Sequence, residues 1–293
     1  MRGYQDPMTS AFKPENLLPG RSCEGHKGTF GRVLIIAGSP GMAGAAYLSG
    51  MSAYRSGCGL VEIFTHEENR IILQQLLPEA VMTTYSGADD GELRGKLIRS
   101  LDKADAAAVG CGLGLDRCAA LILGMFCRYE RVIPTVADAD ALTLLAEDPD
   151  RLKRLEGRPV VITPHPREMS RLNGMTVKEI VSDRTGCARE YASLHSITCL
   201  LKGHRTVVAT PGEQIYVNQT GNDGMAAGGS GDVLTGLIAG LLAQGMSVHE
   251  AACLGAWIHG AGGDRAAETH GRHSMMARDL IQGICNVIRE IEN

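Results

Sequence analysis

The sequence is poor in aromatic residues and lacks long apolar runs. Phenylalanine, tryptophan and tyrosine make up 4% of the 293 residues, and one residue is tryptophan. Proteins that bind single-stranded nucleic acid stack bases on aromatic side chains, so this scarcity argues against that class. No apolar segment approaches the roughly 20 residues that a membrane-spanning helix needs. The first residues also lack the apolar core of a secretion signal, so we expect no membrane attachment.

The sequence also lacks a strong excess of charge and any regular cysteine spacing. Its 29 lysines and arginines nearly balance its 33 acidic residues, and the formal net charge is −4. Such a balance offers no attraction to nucleic acid. The nine cysteines are odd in number and no two stand in C-x-x-C spacing. This usage favours buried, reduced thiols of a cytoplasmic protein over a disulfide framework or a zinc site.

Glycine is abundant, with 37 residues, and it is concentrated in residues 218–232. That stretch holds five glycines and leads directly into residues 232–244, where apolar residues recur at the spacing of one helix face. The first turn of a helix has unpaired backbone N–H groups and a partial positive charge. The sequence therefore predicts an anion site, most naturally for phosphate, at the start of this helix.

Asp232 lies where the glycine-rich stretch meets the helix, and two interpretations are open. As an N-cap, its carboxylate would accept a backbone N–H bond of the first turn. As a catalytic base, it would accept a proton from a substrate hydroxyl while the N–H groups hold the transferring phosphoryl group. The local pattern does not separate the two.

Apolar strand patterns alternate with helical patterns through most of the chain. This order predicts an α/β fold with a mostly parallel central sheet that is covered by helices on both faces. We expect residues 1–22 to be irregular and residues 23–293 to form one domain. Strands are predicted at 32–37, 60–65, 80–85, 106–109, 132–137, 160–163 and 197–202, then a hairpin-like pair at 207–210 and 214–218. One long helix is predicted at 177–194, and three closing helices near 232–244, 248–267 and 276–291.

Glycine-rich and acidic motifs follow several predicted strands, so they should meet at one edge of the sheet. Residues 38–44 form either a tight turn or a loop that lines a substrate; a dinucleotide site that uses Glu62 is disfavoured because the G-x-G-x-x-G spacing is absent. Residues 110–114 contain three glycines, which favours a ligand-facing loop. Asp138 and Asp140 could hold Mg²⁺; alternatively, Asp140 caps the next helix and Asp138 lies nearer the chemistry.

Two later strand ends carry further candidates. His165 stands between prolines after the strand at 160–163, which favours a ligand contact, and Glu168 could orient a water molecule or a metal ion. The turn that begins at Lys202 is either an ordinary cationic hairpin or a contact for nucleotide phosphate.

These motifs, in this order, make the chain resemble the NAD(P)H-hydrate dehydratase family of the ribokinase-like superfamily, over about residues 24–291. The motifs that carry the resemblance are His26-Lys27-Gly28-x-x-Gly31, Ala37-Gly38-Ser39 with Gly44-Ala45, Gly112-x-Gly114, Asp138-Ala139-Asp140-Ala141-Leu142, Thr163-Pro164-His165-Pro166-x-Glu168, Lys202-Gly203-x-x-Thr206, and Asn218-x-Thr220-Gly221-Asn222-x-Gly224-Met225-Ala226-x-Gly228-Gly229-Ser230-Gly231-Asp232-Val233-Leu234-Thr235-Gly236.

The resemblance implies a three-layer α/β/α fold and the repair of hydrated nicotinamide cofactors. Such enzymes use ADP or ATP to phosphorylate the hydroxyl of (S)-NADHX or (S)-NADPHX, and loss of phosphate restores NADH or NADPH. With ADP, the other product is AMP. Asp232 is then the catalytic base, and Mg²⁺ is the expected cofactor, with Asp138 and Glu168 as water-mediated ligands. The hydrated cofactor would contact Ala45, Gly112, Gly114, His165 and Asp232. The nucleotide would contact Lys202, Gly203, His204, Arg205, Thr206, Asn222, Met225, Gly228, Gly229, Ser230 and Gly231.

The chain departs from the family pattern at two positions and lacks one domain. Asp223 stands in place of a common proline, and Ala227 stands in place of a small hydroxylated residue, a loss worth about 1 kcal/mol if one neutral hydrogen bond disappears. The epimerase domain of some relatives is absent, so the chain should act on the S epimer and work with a separate epimerase. Relatives also suggest a homotetramer.

Three functions compete. The first is the dehydratase, with ADP favoured over ATP. The second is a small-molecule kinase of the same superfamily, which would act on a vitamin precursor or sugar alcohol and would share the glycine-rich loop and Asp232. The Pro164-His165-Pro166-x-Glu168 and His26-Lys27-Gly28 motifs favour the dehydratase over this kinase. The third is a nucleotide-binding regulator, which the intact Asp232 disfavours.

Overall fold

A nine-stranded sheet forms the centre of the protein. The computed structural model describes residues 13–86 and 89–293. The strands follow the order β3-β2-β1-β4-β5-β6-β7-β8-β9; the first seven are parallel, whereas β8 runs antiparallel to both β7 and β9. The strands are β1 Arg32–Ile36, β2 Leu60–His66, β3 Val81–Tyr85, β4 Ala106–Val109, β5 Thr135–Ala137, β6 Val160–Ile162, β7 Thr198–Leu201, β8 Val207–Ala209 and β9 Tyr216–Val217.

Twelve α-helices are found in the described residues, and they cover both faces of the sheet. They are α1 Ala43–Arg55, α2 Arg70–Leu76, α3 Asp90–Leu101, α4 Arg117–Arg128, α5 Asp140–Glu147, α6 Pro149–Lys153, α7 Pro166–Asn173, α8 Val177–Ser182, α9 Arg184–His195, α10 Ser230–Ala243, α11 Val248–His270 and α12 Ala277–Glu292. Short 3₁₀ turns stand at Pro14–Leu17, Glu67–Asn69 and Asp223–Met225. No helix in these ranges is long and apolar enough to cross a membrane.

Alternating side chains of β1 divide the core into two layers. Val33 and Ile35 join the apolar cluster under α1, α10, α11 and α12. Leu34 and Ile36 join the cluster under α3, α4, α5 and α9. Since all four side chains are fully buried, β1 is apolar on both faces, as a central parallel strand must be. The predicted three-layer α/β/α fold is confirmed.

The order of the strands places a crevice at their carboxyl ends. The chain moves from β1 outward to β2 and β3, then returns to β4 on the other side of β1. Loops that leave neighbouring strands in opposite directions open a crevice at such a point. The segments that follow β1, β4, β5, β6 and β7 carry the motifs expected to form the site.

Several sequence-based predictions were wrong in detail. The single helix expected at 177–194 is two helices, because Asp183 adopts φ −142° and its side chain accepts the Gly186 N–H at the start of α9. Helices α6 and α7 were missed, since each is short and begins at a proline. The segment Pro14–Leu17 is a 3₁₀ turn within the part expected to be irregular; residues 1–12 lie outside the described residues.

Two further expectations concern buried polar groups. Six of the nine cysteines are buried, and all nine are free thiols. Glu62 is also buried, and its carboxylate accepts bonds from Thr83 and Ser100 and pairs with Arg32. Glu62 is therefore an internal ion-pair residue.

Helices α1 and α10 pack through glycine. A Cβ atom at Gly236 would lie 2.0 Å from the carbonyl oxygen of Ser49, and one at Gly240 would lie 1.9 Å from Ser56 Oγ. The Ser52 hydroxyl donates to the Val233 carbonyl at 2.7 Å across the same contact. The amino end of α10, where the expected anion site lies, is thus held against α1 at backbone distance.

We predict that Gly236→Ala destabilises the protein by about 1–3 kcal/mol, because overpacking outweighs the usual gain of alanine in a helix. The matched control is Gly95→Ala in α3, where the new methyl group would meet only the end of the Arg99 side chain, at 3.2 Å. Gly95→Ala should stabilise by up to about 1 kcal/mol. Urea unfolding measures both. Equal effects would contradict the close packing of α1 on α10.

Candidate active site

Asp232 occupies the first turn of α10 without capping it. The N-cap is Gly229, with φ 90°, and no side chain caps this helix. A side chain at position 229 would also collide with Leu48, whose Cδ1 lies 2.5 Å from the ideal Cβ position. The interpretation of Asp232 as an N-cap is wrong; its carboxylate stands at the third helical position.

The surroundings of Asp232 favour a base that works near neutral pH. Burial raises the pKa of its carboxyl group to about 6. The Cys111 thiol, as a hydrogen-bond partner, and the Lys202 ammonium lower this pKa, whereas the negative charge of Asp138 raises it. Since a general base is most effective when its pKa lies near the working pH, this carboxylate suits proton transfer.

Lys202 and Asp138 form a buried ion pair beneath the start of α10. Lys202 Nζ lies 2.7 Å from Asp138 Oδ1, and the Thr235 hydroxyl donates to Asp138 Oδ2 at 2.8 Å. A Cβ atom at Gly231 would lie 3.4 Å from both Asp138 Oδ2 and Lys202 Nζ. The lysine ammonium and the helix N-terminus therefore lie together, and both attract anions.

The charge of Lys202 is retained despite burial. Burial by itself lowers the pKa of this amine, but Asp138 and Glu168 together raise it above its ordinary value. Glu168 Oε2 lies 3.9 Å from Lys202 Nζ. At neutral pH the amine is a fixed cation on the wall of the site.

The same contacts decide how Asp138 and Glu168 fit a metal ion. Both oxygens of Asp138 accept bonds from protein donors. Glu168 Oε2 accepts the His165 backbone N–H at 2.8 Å. Within residues 13–86 and 89–293, no three His, Cys, Asp or Glu side chains form a metal-binding group. Three of the four carboxylate oxygens of this pair thus already lie next to protein donors, and the water-mediated Mg²⁺ contact of Asp138 and Glu168 stays a prediction.

His165 caps a helix as well as facing the cavity. Its Nδ1 accepts the backbone N–H groups of Arg167 and Glu168, each at 3.1 Å, and Glu168 completes a capping box at the start of α7. Because Nδ1 is an acceptor, the neutral ring carries its proton on Nε2. Nε2 lies 3.4 Å from Glu168 Oε1. The contacts of both ring nitrogens therefore fix the orientation of the imidazole ring.

The turn after β7 is held from behind by Arg184. This guanidinium donates to the carbonyl groups of His204 and Arg205. Arg205 has φ 58° and Gly203 has φ 154°, which makes the turn sharp. The Thr206 hydroxyl closes the turn by donating to the Gly203 carbonyl at 3.2 Å.

A cavity of about 890 Å³ joins these groups. It is lined by Asp138, His165, Asp232, the turn at 202–206 and most of the loop at 218–231. The structure therefore brings together residues 138, 165, 202 and 232, which are separated widely in the sequence.

Ala45, Gly112, Gly114 and Gly228 do not line that cavity. The first three cluster elsewhere: a Cβ atom at Gly112 would lie 3.0 Å from Ala45 Cβ, and the Gly114 N–H donates to Asp140 Oδ2 at 2.8 Å. The cap predicted at Asp140 is wrong, because this residue lies inside α5 and binds Gly114. Cys111, which is a hydrogen-bond partner of Asp232 and precedes Gly112 in the chain, connects this cluster to Asp232.

The backbone between the two aspartates is unusual. Ala139 has φ 51° and ψ −118° and separates Asp138 from Asp140. Such conformations cost of order 1–3 kcal/mol and occur mainly at functional sites. Here the bend directs one carboxylate to Lys202 and the other to Gly114.

Sequence reasoning missed four residues that build the site: Arg184, Thr235, His259 and Asp264. His259 Nε2 lies 2.9 Å from the Ser230 carbonyl oxygen, and Asp264 binds Gly221 and Asn222. A signal was present, since α11 carries glycines at 260, 262 and 263 in its interior, where each costs stability unless something packs closely.

Comparison with known proteins first defines the fold class. A solved ribokinase-like superfamily protein from Enterococcus faecalis superposes with a TM-score of 0.84 at 28% identity, covering 95% of this chain and 93% of that one. A Bacillus subtilis protein described as an ADP/ATP-dependent NAD(P)H-hydrate dehydratase, co-crystallised with ATP and Mg²⁺, gives a TM-score of 0.80 at 31% identity and covers 95% and 96%. The fold is ribokinase-like.

Sequence relatives then define the family. The NAD(P)H-hydrate dehydratase family profile matches residues 33–286. A bifunctional NAD(P)H-hydrate repair enzyme of Moorella thermoacetica is 43% identical over 94% of the chain and 52% of its own length. An ADP-dependent (S)-NAD(P)H-hydrate dehydratase of Neisseria meningitidis is 40% identical over 90% of the chain and 86% of its own. The chain belongs to the NAD(P)H-hydrate dehydratase family, and it spans about half the length of the bifunctional relatives.

We predict that Lys202→Met destabilises the protein by about 3 kcal/mol at neutral pH, because it leaves the buried carboxylates of Asp138 and Glu168 without a cation. Asp138→Asn in the same chain should recover most of that loss. Lys153→Met is the control, since Lys153 and its partner Asp150 are 68% and 83% exposed and such pairs contribute little. Urea unfolding compares them. A cost no larger than that of Lys153→Met would contradict the role of the buried pair.

Proposed function

We propose that the protein is a hydro-lyase that dehydrates (S)-NADHX and (S)-NADPHX with ADP, yielding NADH or NADPH, AMP and phosphate. The observation that carries this proposal is the carboxylate of Asp232, with its pKa raised to about 6, in the first turn of a helix next to the Lys202 ammonium. The Neisseria meningitidis and Bacillus subtilis relatives carry names with the same activity.

The first step is transfer of a phosphoryl group. Asp232 accepts the proton of the ring hydroxyl while that oxygen attacks the terminal phosphorus of ADP. A new O–P bond forms, the bond between this phosphorus and the bridging oxygen breaks, and AMP leaves with the electron pair. Lys202 and the N–H groups at the start of α10 stabilise the charge on the transferring group, as preformed donors do in phosphoryl transfer.

The second step is loss of phosphate. The ring nitrogen supplies an electron pair, the C–O bond breaks, and phosphate leaves with the former hydroxyl oxygen. The neighbouring ring carbon then gives a proton to the released phosphate, and the electrons of that C–H bond restore the double bond of NADH or NADPH. Phosphorylation thus converts hydroxide, a poor leaving group, into a good one. The anion site that held the phosphoryl group in the first step holds the departing phosphate in the second.

We assign the binding residues from the resemblance to the family, and the cavity around Asp232 supports the assignment for those that line it. The nucleotide phosphates contact the turn at 202–206 and the loop residues Asn222, Met225, Gly228, Gly229, Ser230 and Gly231. The hydrated nicotinamide contacts His165, Gly112, Gly114 and Ala45. His165 and most of the nucleotide residues line one cavity with Asp232, which supports a reaction between two ligands at this carboxylate.

We further propose that Mg²⁺ enters with the nucleotide phosphates, since this ion keeps several waters and binds through few carboxylates. The same proposal includes a preference for ADP over ATP, location in the cytoplasm, assembly as a homotetramer, and cooperation with a separate epimerase. It also includes the organisation of residues 23–293 as one dehydratase domain.

The direct test mixes the protein with Mg²⁺, NADHX and either ADP or ATP, and follows the absorbance of regenerated NADH. We expect turnover with ADP. Asp232→Asn should lower kcat by at least about 100-fold, because a positioned base contributes 10²–10⁴-fold. Its melting temperature should be unchanged or higher, because burial makes the ionised carboxylate of Asp232 unfavourable for folding above about pH 6.

Asp150→Asn, on an exposed side chain of α6, is the control and should retain full activity. Near-normal turnover by Asp232→Asn would remove the assignment of the base. If no NADH forms with either nucleotide while a thiazole or pyridoxine alcohol is phosphorylated, the protein is a kinase. If the protein binds the nucleotide but catalyses neither reaction, the result favours the hypothesis of a nucleotide-binding regulator.

The pKa of Asp232 also predicts the pH dependence of the reaction. The base is active when deprotonated, so kcat/KM in the free enzyme should fall about tenfold per pH unit below about pH 6. Because the charge of Asp138 raises this pKa, Asp138→Asn should move the acid limb to lower pH. Initial rates between roughly pH 4 and pH 8 measure both. A limb near pH 4 in the wild-type enzyme would contradict the role of burial.

A further inference from the structure

One face of α11 lies directly against the loop that approaches α10. The Asn218 side-chain amide donates to the Ala256 carbonyl at 3.1 Å, and the Thr220 hydroxyl donates to the Trp257 carbonyl at 2.9 Å. A Cβ atom at Gly260 would lie 2.2 Å from Thr220 Oγ1. The loop therefore rests on the backbone of α11, and glycine at 260 allows that contact.

The same face continues along the helix toward its carboxyl end. A Cβ atom at Gly263 would lie 2.3 Å from Met225 Sδ. One turn earlier, the buried ring of His259 contacts the Ser230 carbonyl at 2.9 Å. Positions 256, 259, 260 and 263 recur at helical spacing, so a single helix face supports the loop from residue 218 to residue 230.

Asp264 is the charged member of this face, and its carboxylate has two partners in the loop. Oδ2 accepts the Gly221 backbone N–H and Oδ1 accepts the Asn222 side-chain amide, each at 2.9 Å. Asn222 Oδ1 in turn accepts the Gly224 N–H at 3.0 Å. Both ends of the Asn222 side chain are thus engaged within the protein.

The charge of Asp264 is not matched by a cation. Its neighbour Arg265 pairs with Glu268 and Glu290 instead, and no Lys, Arg or His nitrogen of the described chain lies within 4 Å of the Asp264 carboxylate. A carboxylate near an anion site weakens anion binding through space. The two hydrogen bonds to Gly221 and Asn222 indicate instead that Asp264 holds the loop in place.

We propose that Asp264 is a positioning residue for nucleotide binding: its two hydrogen bonds fix residues 221 and 222, so that the following loop presents its N–H groups to the phosphates. This inference rests on the proposed function, because it takes an adenine nucleotide as the ligand of the cavity. The nicotinamide substrate is assigned to other residues, so its binding should not depend on the contact.

The test measures the affinity of Mg²⁺–ADP by titration calorimetry, together with kinetic constants and thermal melting. Asp264→Asn keeps the size of the side chain but sets an N–H donor against a donor in the loop. We expect Kd and KM for ADP to rise at least about tenfold, with KM for NADHX unchanged. Glu268→Gln, an exposed acid one turn away on α11, removes the same charge and should leave ADP affinity unchanged.

The sign of the effect separates positioning from electrostatics. Loss of a negative charge alone would tighten ADP binding, so tighter or unchanged binding in Asp264→Asn would overturn the inference. If wild-type protein fails to bind ADP, the proposed function fails instead.

The exchanged pair Asn222→Asp with Asp264→Asn supplies a second test that does not depend on the folding of one variant. Its carboxylate and amide can re-form all three hydrogen bonds, to Gly221, between the two side chains, and to Gly224. We expect the double variant to bind ADP more tightly than the two single effects added together. Simple additivity would count against the proposed contact.

Discussion

The buried ion pair of Lys202 and Asp138 is the interaction on which the site depends. It joins the end of β7 to the end of β5, and through Thr235 it joins both to α10. Each partner would be costly to bury alone. Burial lowers the pKa of the Lys202 amine, but Asp138 and Glu168 raise it above its ordinary value, so the amine stays charged. The pair therefore sets the distance between the sheet edge and the helix N-terminus, and with it the place where a phosphoryl group can be held between a cation and backbone donors.

Much of the fold could be predicted from the sequence, because the hydrophobic pattern of each long element matches the way that element is buried. Strands such as β1 are buried on both faces and read as unbroken apolar runs, and long helices such as α12 carry a clear apolar stripe. Errors arose where short-range chemistry overrides periodicity. Asp183 interrupts an otherwise continuous helical pattern, and α6 and α7 are too short to show a period and begin at a proline.

The site could be predicted from the sequence only in part. Residues that end strands, such as Asp138, His165 and Lys202, were found because parallel strands bring their carboxyl ends to one edge. Their partners were not: nothing local in the sequence links Lys202 to Asp138 or shows that Asp140 binds Gly114. Asp264 and His259 lie on a long helix, where polar residues usually face water, and only the neighbouring glycines hint that another backbone lies against them.

The buried thiols have a consequence for the chemical resistance of the protein. Burial raises the pKa of Cys58 to about 12 and of Cys127 to about 11, and it holds the pKa of Cys111 well above its ordinary value. Since thiolates, rather than thiols, react with peroxides and alkylating agents, these groups are inert at neutral pH. Cys111 can thus stand beside the Asp232 carboxylate without making this part of the site sensitive to oxidation, and Cys23, on the surface, offers a separate position for attaching a fluorophore.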